Sequence, residues 1–154
     1  MPNFGLVRVQ ALGAMLQLPD TESPIISATR NPYMPLVTIS ILKGKSPAYI
    51  KAVTDGINAA VIETMGFPAD DRYQVVHELA PECLQLQERE GDRIVMHLVM
   101  RAGRSNKAKQ AFYRRVVEKL AADPGIPPEN VLITITENHD IDWSFRDGVA
   151  QFVV

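Results

Sequence analysis

The chain has 154 residues, 46% of them hydrophobic, with 16 basic against 18 acidic side chains and a formal net charge of −2. This describes one domain with a sizeable core, and it lacks the basic excess that a nucleic-acid surface needs. The single cysteine, Cys83, excludes an internal disulfide framework and any cysteine-cluster metal site, which makes the cytoplasm the default compartment and Cys83 itself an inert loop thiol.

Residues 6–18, LVRVQALGAMLQL, are apolar but interrupted by Arg8, Gln10 and Gln17, with no basic region before them. They suit neither a signal peptide nor a membrane span. The following PDTESPIISATRNPY clusters proline, serine, aspartate and asparagine without a period and reads as a linker or loose arm. Residues 1–33 are therefore expected to be an extension, and the compact domain to cover 34–154.

An internal repeat organises that domain. Gly44, Ser46, Gly66 and Pro68 recur as Gly103, Ser105, Gly125 and Pro127, each pair separated by 59 residues. Lys45 against Arg104 and Asp70 against Glu129 keep the charge type at the same offset.

Each copy reads strand, helix, strand. The first opens with LVTISIL, and Ser46 then supplies an N-cap with Pro47 at the first helical position. Ile50, Val53, Ile57, Ala60 and Val61 form one helical face, Gly66 suits the C-terminal cap, and Pro68 blocks continuation before the strand RYQVVHEL. The second copy runs from IVMHLVM through the cap Ser105 and the face Ala108, Phe112, Val116 and Leu120 to Gly125, Pro127 and VLITITEN. Strand–helix–strand implies a parallel pair. Two copies then give an α/β fold of the α+β type, with a four-stranded mixed sheet and both helices on one face. IVMHLVM is apolar on both its faces apart from His97, so the uncovered face calls for self-association.

An approximate two-fold axis between the copies brings Pro35, Asp71 and Arg104 to one rim of the sheet. Arg104 lies beside the positive end of its own helix, an unfavourable place for a cation unless an anion binds there. It reads as either a carboxylate-binding corner or a solvated turn arginine. Pro35 has two opposite chemistries. Inside a chain its nitrogen is an amide. After a start at Met34 and loss of that methionine it is a secondary amine that titrates and attacks carbonyls. Burial and Arg104 would lower the pKa of that amine and Asp71 would raise it.

GFPADDRYQ, GRSNKAKQAFYR and ENHDIDWSFRDGVAQF, within a stretch from Pro35 to Phe152, resemble the tautomerase superfamily and are most similar to its malonate semialdehyde decarboxylase branch. The resemblance implies a β-α-β core, a trimer and a cofactor-free enzyme acting on a small oxo or enol carboxylate, by keto–enol tautomerisation or by decarboxylation. It implies Pro35 as the catalytic amine, Asp71 as its carboxylate partner, Arg104 as holder of the substrate carboxylate, and Trp143, Phe145 and Phe152 as an aromatic wall. Without the resemblance these aromatics read as a C-terminal plug or a subunit contact. Two departures stand out. RAGRS carries Ala102 where the branch has a second arginine, with Arg101 displaced by one residue onto the other face of a strand; and the extension before Pro35 leaves its nitrogen acylated. With the extension retained, the expectation becomes a non-catalytic oligomeric binding module. MPNF at the start would also expose a proline, Pro2, but too far from the first strand to place at the rim.

Tyr73 could add a hydroxyl to the pocket or be a buried strand residue. His77, His97 and His139 show no metal spacing, Asp140 and Asp142 read as the turn before Trp143, and GKS at 44–46 lacks the upstream glycine of a phosphate loop.

Overall fold

A computed structural model describes residues 34–153. The extension read over residues 1–33, Pro2 and Val154 lie outside the described residues. The elements follow in the order β1 (Leu36–Leu42), α1 (Pro47–Met65), β2 (Tyr73–Leu79), β3 (Ile94–Arg101), α2 (Asn106–Ala122) and β4 (Val131–Asn138), with 3-10 turns at Pro81–Cys83, Pro128–Asn130 and Asp140–Asp142.

The helix starts are built as their sequences imply. Ser46 Oγ accepts the Tyr49 N–H and Ser105 Oγ accepts the Ala108 N–H, both at 3.2 Å, which satisfies donors that the first turn leaves open. Gly66 ends α1 in the left-handed region at φ 68°, where a side chain would be strained. The end of α2 differs from the expected glycine cap. Asp123, held extended because it precedes Pro124, is the cap, and Gly125 lies beyond it, where the N–H groups of Gly125 and Ile126 both donate to the Leu120 carbonyl.

The sheet order is β2-β1-β3-β4. β1 and β2 are parallel, β1 and β3 antiparallel, and β3 and β4 parallel. The repeat survives in the register: Leu36 pairs with Tyr73, and their counterparts Val95 and Leu132 pair in the second half. Alternate residues of the central strands, Val37, Ile39 and Ile41 on β1 and Ile94, Met96, Leu98 and Met100 on β3, form one core with Val53, Ile57, Ala60 and Val61 of α1 and Phe112, Val116 and Leu120 of α2. Both helices therefore cover the same face. The other face carries Tyr73 and Val75, each 45% exposed, and Leu132, 37% exposed. Among the described residues no helix is long and apolar enough to cross a membrane.

This pairing gathers the beginnings of β1 and β2 and the ends of β3 and β4 at one rim.

Candidate active site

Pro35 is buried directly before β1. Because Leu36 pairs with Tyr73, Pro35 and Asp71 lie at the matching ends of two adjacent strands. Asp71 follows a turn closed by its own N–H donating to the Pro68 carbonyl at 3.2 Å. Only 6% of it is exposed, and its Oδ2 has no hydrogen-bond partner among the described residues. Burial pushes its carboxyl up to about 6, with the neighbouring charge of Asp70 adding to the effect. A carboxylate kept dry and short of a donor is a receptor for a cation or a proton.

Arg104 is positioned differently from its expected strained place at the start of α2. Its Nε donates to the Met65 carbonyl at 3.0 Å, and its guanidinium lies 4.6 Å from the centre of the Phe67 ring. The charged end therefore sits at the carbonyl end of α1, where the helix dipole favours a cation, although its Cα adjoins the amino end of α2. The loop that carries it is tied down from β4. Glu137 accepts the backbone N–H groups of Gly103 and Arg104 and pairs with Lys109 at 2.9 Å, and the Lys109 contact first among these holds its carboxyl below the usual range.

The four aromatic candidates come together on the sheet face away from the helices. Trp143 stacks on Phe145 with centroids 5.5 Å apart, Phe152 meets Phe145 edge-on at 5.3 Å, and Tyr73 is 6.2 Å from Phe145. Trp143 is fixed by its Nε1 donating to Asn138 Oδ1 at 2.6 Å. With Leu36, Val99, Asn138, Asp142 and Ser144, the rings of Tyr73, Trp143 and Phe145 line a cavity of about 390 Å³. Tyr73 is thus an exposed wall residue and not a buried strand tyrosine. Pro35, Asp71 and Arg104 share the rim with this cavity but are not among its lining residues.

Arg101, discounted from the sequence because of its one-residue displacement, reaches this wall. Strand alternation puts it on the face of Val95, His97 and Val99, its guanidinium is 4.6 Å from the Phe152 ring, and its Nε and Nη2 meet Asp140 Oδ1 at 2.7 and 2.5 Å. The available signal was the period of two along β3, which gives residue 101 the face of residue 99.

The other side chains fall where the sequence suggested. Asp140 and Asp142 make the 3-10 turn before Trp143, with Asp142 Oδ2 accepting the His139 N–H at 2.8 Å. His77 and His97 are on strands, His97 Nε2 2.8 Å from Thr136 Oγ1. Lys45 of the GKS segment pairs with Asp92 and lies over the Tyr49 ring.

Two family models, each described as tautomerase enzyme, match residues 35–90 and 71–146. The probable tautomerase YrdN of Bacillus subtilis (strain 168) is 34% identical over 126 residues, covering 78% of this chain and 97% of the relative. The probable tautomerase YusQ of the same organism is 31% identical over 127 residues, covering 78% and 99%. Among solved structures, FG41 malonate semialdehyde decarboxylase inhibited by 3-bromopropiolate matches with a TM-score of 0.72 and 31% identity over 77% of this chain and 94% of that one. A second malonate semialdehyde decarboxylase structure matches with a TM-score of 0.68 and 31% identity over 77% and 95%. A fused 4-OT symmetric trimer shares the fold at a TM-score of 0.65 and 20% identity, over 74% of this chain and 94% of that one. Paired β-α-β units, a buried acid at the rim and relatives aligned over nearly their whole length make this chain a member of the tautomerase family.

Proposed function

We propose that this chain, when Pro35 is its amino terminus, is a cofactor-independent tautomerase that interconverts the keto and enol forms of a small oxo carboxylate. The observation that carries the reading is the buried Asp71 carboxylate, whose Oδ2 has no partner among the described residues, at the rim where Pro35 leads into β1. An acylated proline nitrogen has no hydrogen to give that oxygen, whereas an amino-terminal proline has.

Pro35 takes the enol proton and returns one to carbon, shuttling it within a single bound substrate, so no redox partner enters. Asp71 accepts the N–H of the protonated amine and keeps it at the rim. Arg104 holds the substrate carboxylate. Its guanidinium is steadied by the Met65 carbonyl on one edge and the Phe67 ring on one face. The enzyme works as a homotrimer whose subunits meet through the uncovered sheet face. That arrangement is supported by the exposed Tyr73, Val75 and Leu132 and by the trimeric 4-OT fold relatives.

The alignments support a native start at Met34 followed by loss of that methionine. One family match begins at residue 35, and relatives aligned over 97% and 99% of their own length need only 78% of this chain.

A second reading, loss of a carboxylate as carbon dioxide, is favoured by the malonate semialdehyde decarboxylase likeness and by the aromatic cavity, whose rings would desolvate an acid. Ala102 in place of a second arginine weighs toward the tautomerase. A chain that keeps the extension is instead a non-catalytic oligomeric binding module. Proton NMR of an enolised 2-oxo acid and of malonate semialdehyde, with the chain beginning at Pro35 and its mass verified, separates these outcomes. Absence of both ketonisation and carbon dioxide release would reject the enzymatic reading.

A further inference from the structure

We propose that the carboxamide of Asn138 is the hydrogen-bond donor for the substrate's oxo oxygen, presented to the aromatic cavity in one fixed orientation by Trp143. This deepens the oxo-acid reading above and rests on it for the identity of the natural ligand.

The indole fixes which end of the amide meets the cavity. The ring nitrogen of Trp143 can only donate, and it lies 2.6 Å from Asn138 Oδ1, so the carbonyl end of the side chain is committed to it. A flipped amide would set N–H against N–H. The Nδ2 group, with two hydrogens to give, has no acceptor among the described residues, and Asn138 lines the cavity beside Trp143 and Phe145. Both partners are anchored. The Asn138 backbone carbonyl accepts the Ala102 N–H at 2.9 Å where β4 ends, and the buried Trp143 ring stacks on Phe145.

Placement and chemistry agree. Leu36 pairs with Val99, so continuing β1 back by one residue sets Pro35 opposite Met100, whose partner on β4 is Glu137, the neighbour of Asn138. Two strand spacings, about 10 Å, therefore separate the amine from the amide, which leaves room for a small oxo acid between them. As Pro35 withdraws the enol proton, negative charge gathers on the enolate oxygen. Nδ2 donates a hydrogen bond to that oxygen and keeps its own proton. The same oxygen becomes charged when a carboxylate leaves as carbon dioxide, so the role holds for either reaction. Tyr73 and Ser144, which also line the cavity, carry hydroxyls that turn to donate or accept, and the Asp142 carboxylate only accepts and already takes the His139 N–H at 2.8 Å. Among the described side chains lining the cavity, the Asn138 amide is the donor whose orientation is set in advance, and it needs no reorganisation as the charge develops.

The test compares 2-oxobutanoate with butanoate, its counterpart without the oxo oxygen, by calorimetric titration of the full chain, in which the acylated Pro35 forms no adduct with a ketone. Wild type is expected to bind 2-oxobutanoate about fivefold more tightly. Asn138→Asp keeps an oxygen for the indole, repels both acids alike and removes the donor, so the preference should disappear while the emission maximum of Trp143, the single tryptophan, stays unchanged. Trp143→Phe, which frees the amide to turn, should weaken the preference. In a chain beginning at Pro35, Asn138→Asp should lower kcat on enolised 2-oxobutanoate by about 100-fold. A clamp serving only the fold would leave the preference intact in Asn138→Asp. That result overturns the proposal, as does a wild type that binds both acids equally or binds neither. If a chain beginning at Pro35 turns over no oxo acid while the full chain shows the preference and Asn138→Asp loses it, the catalytic reading fails and the Asn138 donor stands.

Discussion

Asp71 and Asn130 occupy the same place in the two halves of the fold, 59 residues apart, each directly after a turn in which its N–H donates to a proline carbonyl, Pro68 or Pro127. Both are buried, at 6% and 3% exposure, yet they are satisfied differently. Asn130 Nδ2 donates to the carbonyls of Glu90 and Asp92 at 2.7 and 2.9 Å, while Asp71 keeps an oxygen without a partner among the described residues. The fold therefore accommodates an amide with a doubly bonded NH2 group at this position, and the carboxylate of Asp71 exceeds what the architecture needs.

The Asp71 carboxylate should destabilise the chain that carries residues 1–33, in a pH-dependent way. Its native value of about 6 exceeds the ordinary 3.8, so the native state binds more protons than the unfolded state between those values. Stability then falls as pH rises through that window, and the loss is complete above it. Asp71→Asn should be more stable than wild type at pH 7 by on the order of 1–3 kcal/mol, the gap closing by about pH 4. Urea denaturation at the two pH values measures it. In a chain beginning at Pro35 the gap should shrink, because the ammonium supplies the missing donor.

Activity should depend on the amino terminus itself. A chain beginning at Pro35 is expected to convert substrate, the same chain with residues 1–33 attached to lose at least about 100-fold in kcat, and Pro35→Ala in the short chain to lose a similar amount. Intact mass of each preparation, alongside kcat, is the measurement.

Arg104→Ala in the short chain should raise KM or lower kcat/KM by about 10- to 100-fold, the worth of a charge-assisted contact to a carboxylate. It also removes the Nε bond to Met65, so a smaller stability loss, about 1 kcal/mol, should accompany it. Wild-type kinetics in a folded variant would remove Arg104 from the site.

The uncovered sheet face should set the assembly. Val75 and Leu132 are on different strands of that face, so Val75→Lys or Leu132→Glu should shift a trimer toward monomer in sedimentation velocity while far-ultraviolet circular dichroism stays that of the folded chain. By contrast Leu98→Ala, fully buried under the helices, should cost about 2–5 kcal/mol of stability.

The polypeptide order alone specified the local elements. Ser46 and Ser105 cap because a hydroxyl suits open helix donors, Gly66 ends α1 because it tolerates the left-handed region, and the 59-residue offset reappears as strand register because the same pattern folds the same way twice. The gathering of Trp143, Phe145 and Phe152 was also legible, through motif likeness and not through spacing, whereas Tyr73 had only its place at a strand start and two readings from it. Tertiary structure decided where long side chains end. The Cα of Arg104 lies at the start of α2, yet its guanidinium reaches the Met65 carbonyl at the end of α1; Arg101, one residue out of step, reaches the aromatic wall. The physical reason is reach. Caps and alternation act within a few bonds of the backbone, whereas a guanidinium lies several bonds from its Cα and is placed by whatever carbonyl, ring or carboxylate the packed chain brings there. Whether a buried acid keeps an unbonded oxygen is likewise a sum over neighbours from distant segments, which only the folded chain assembles.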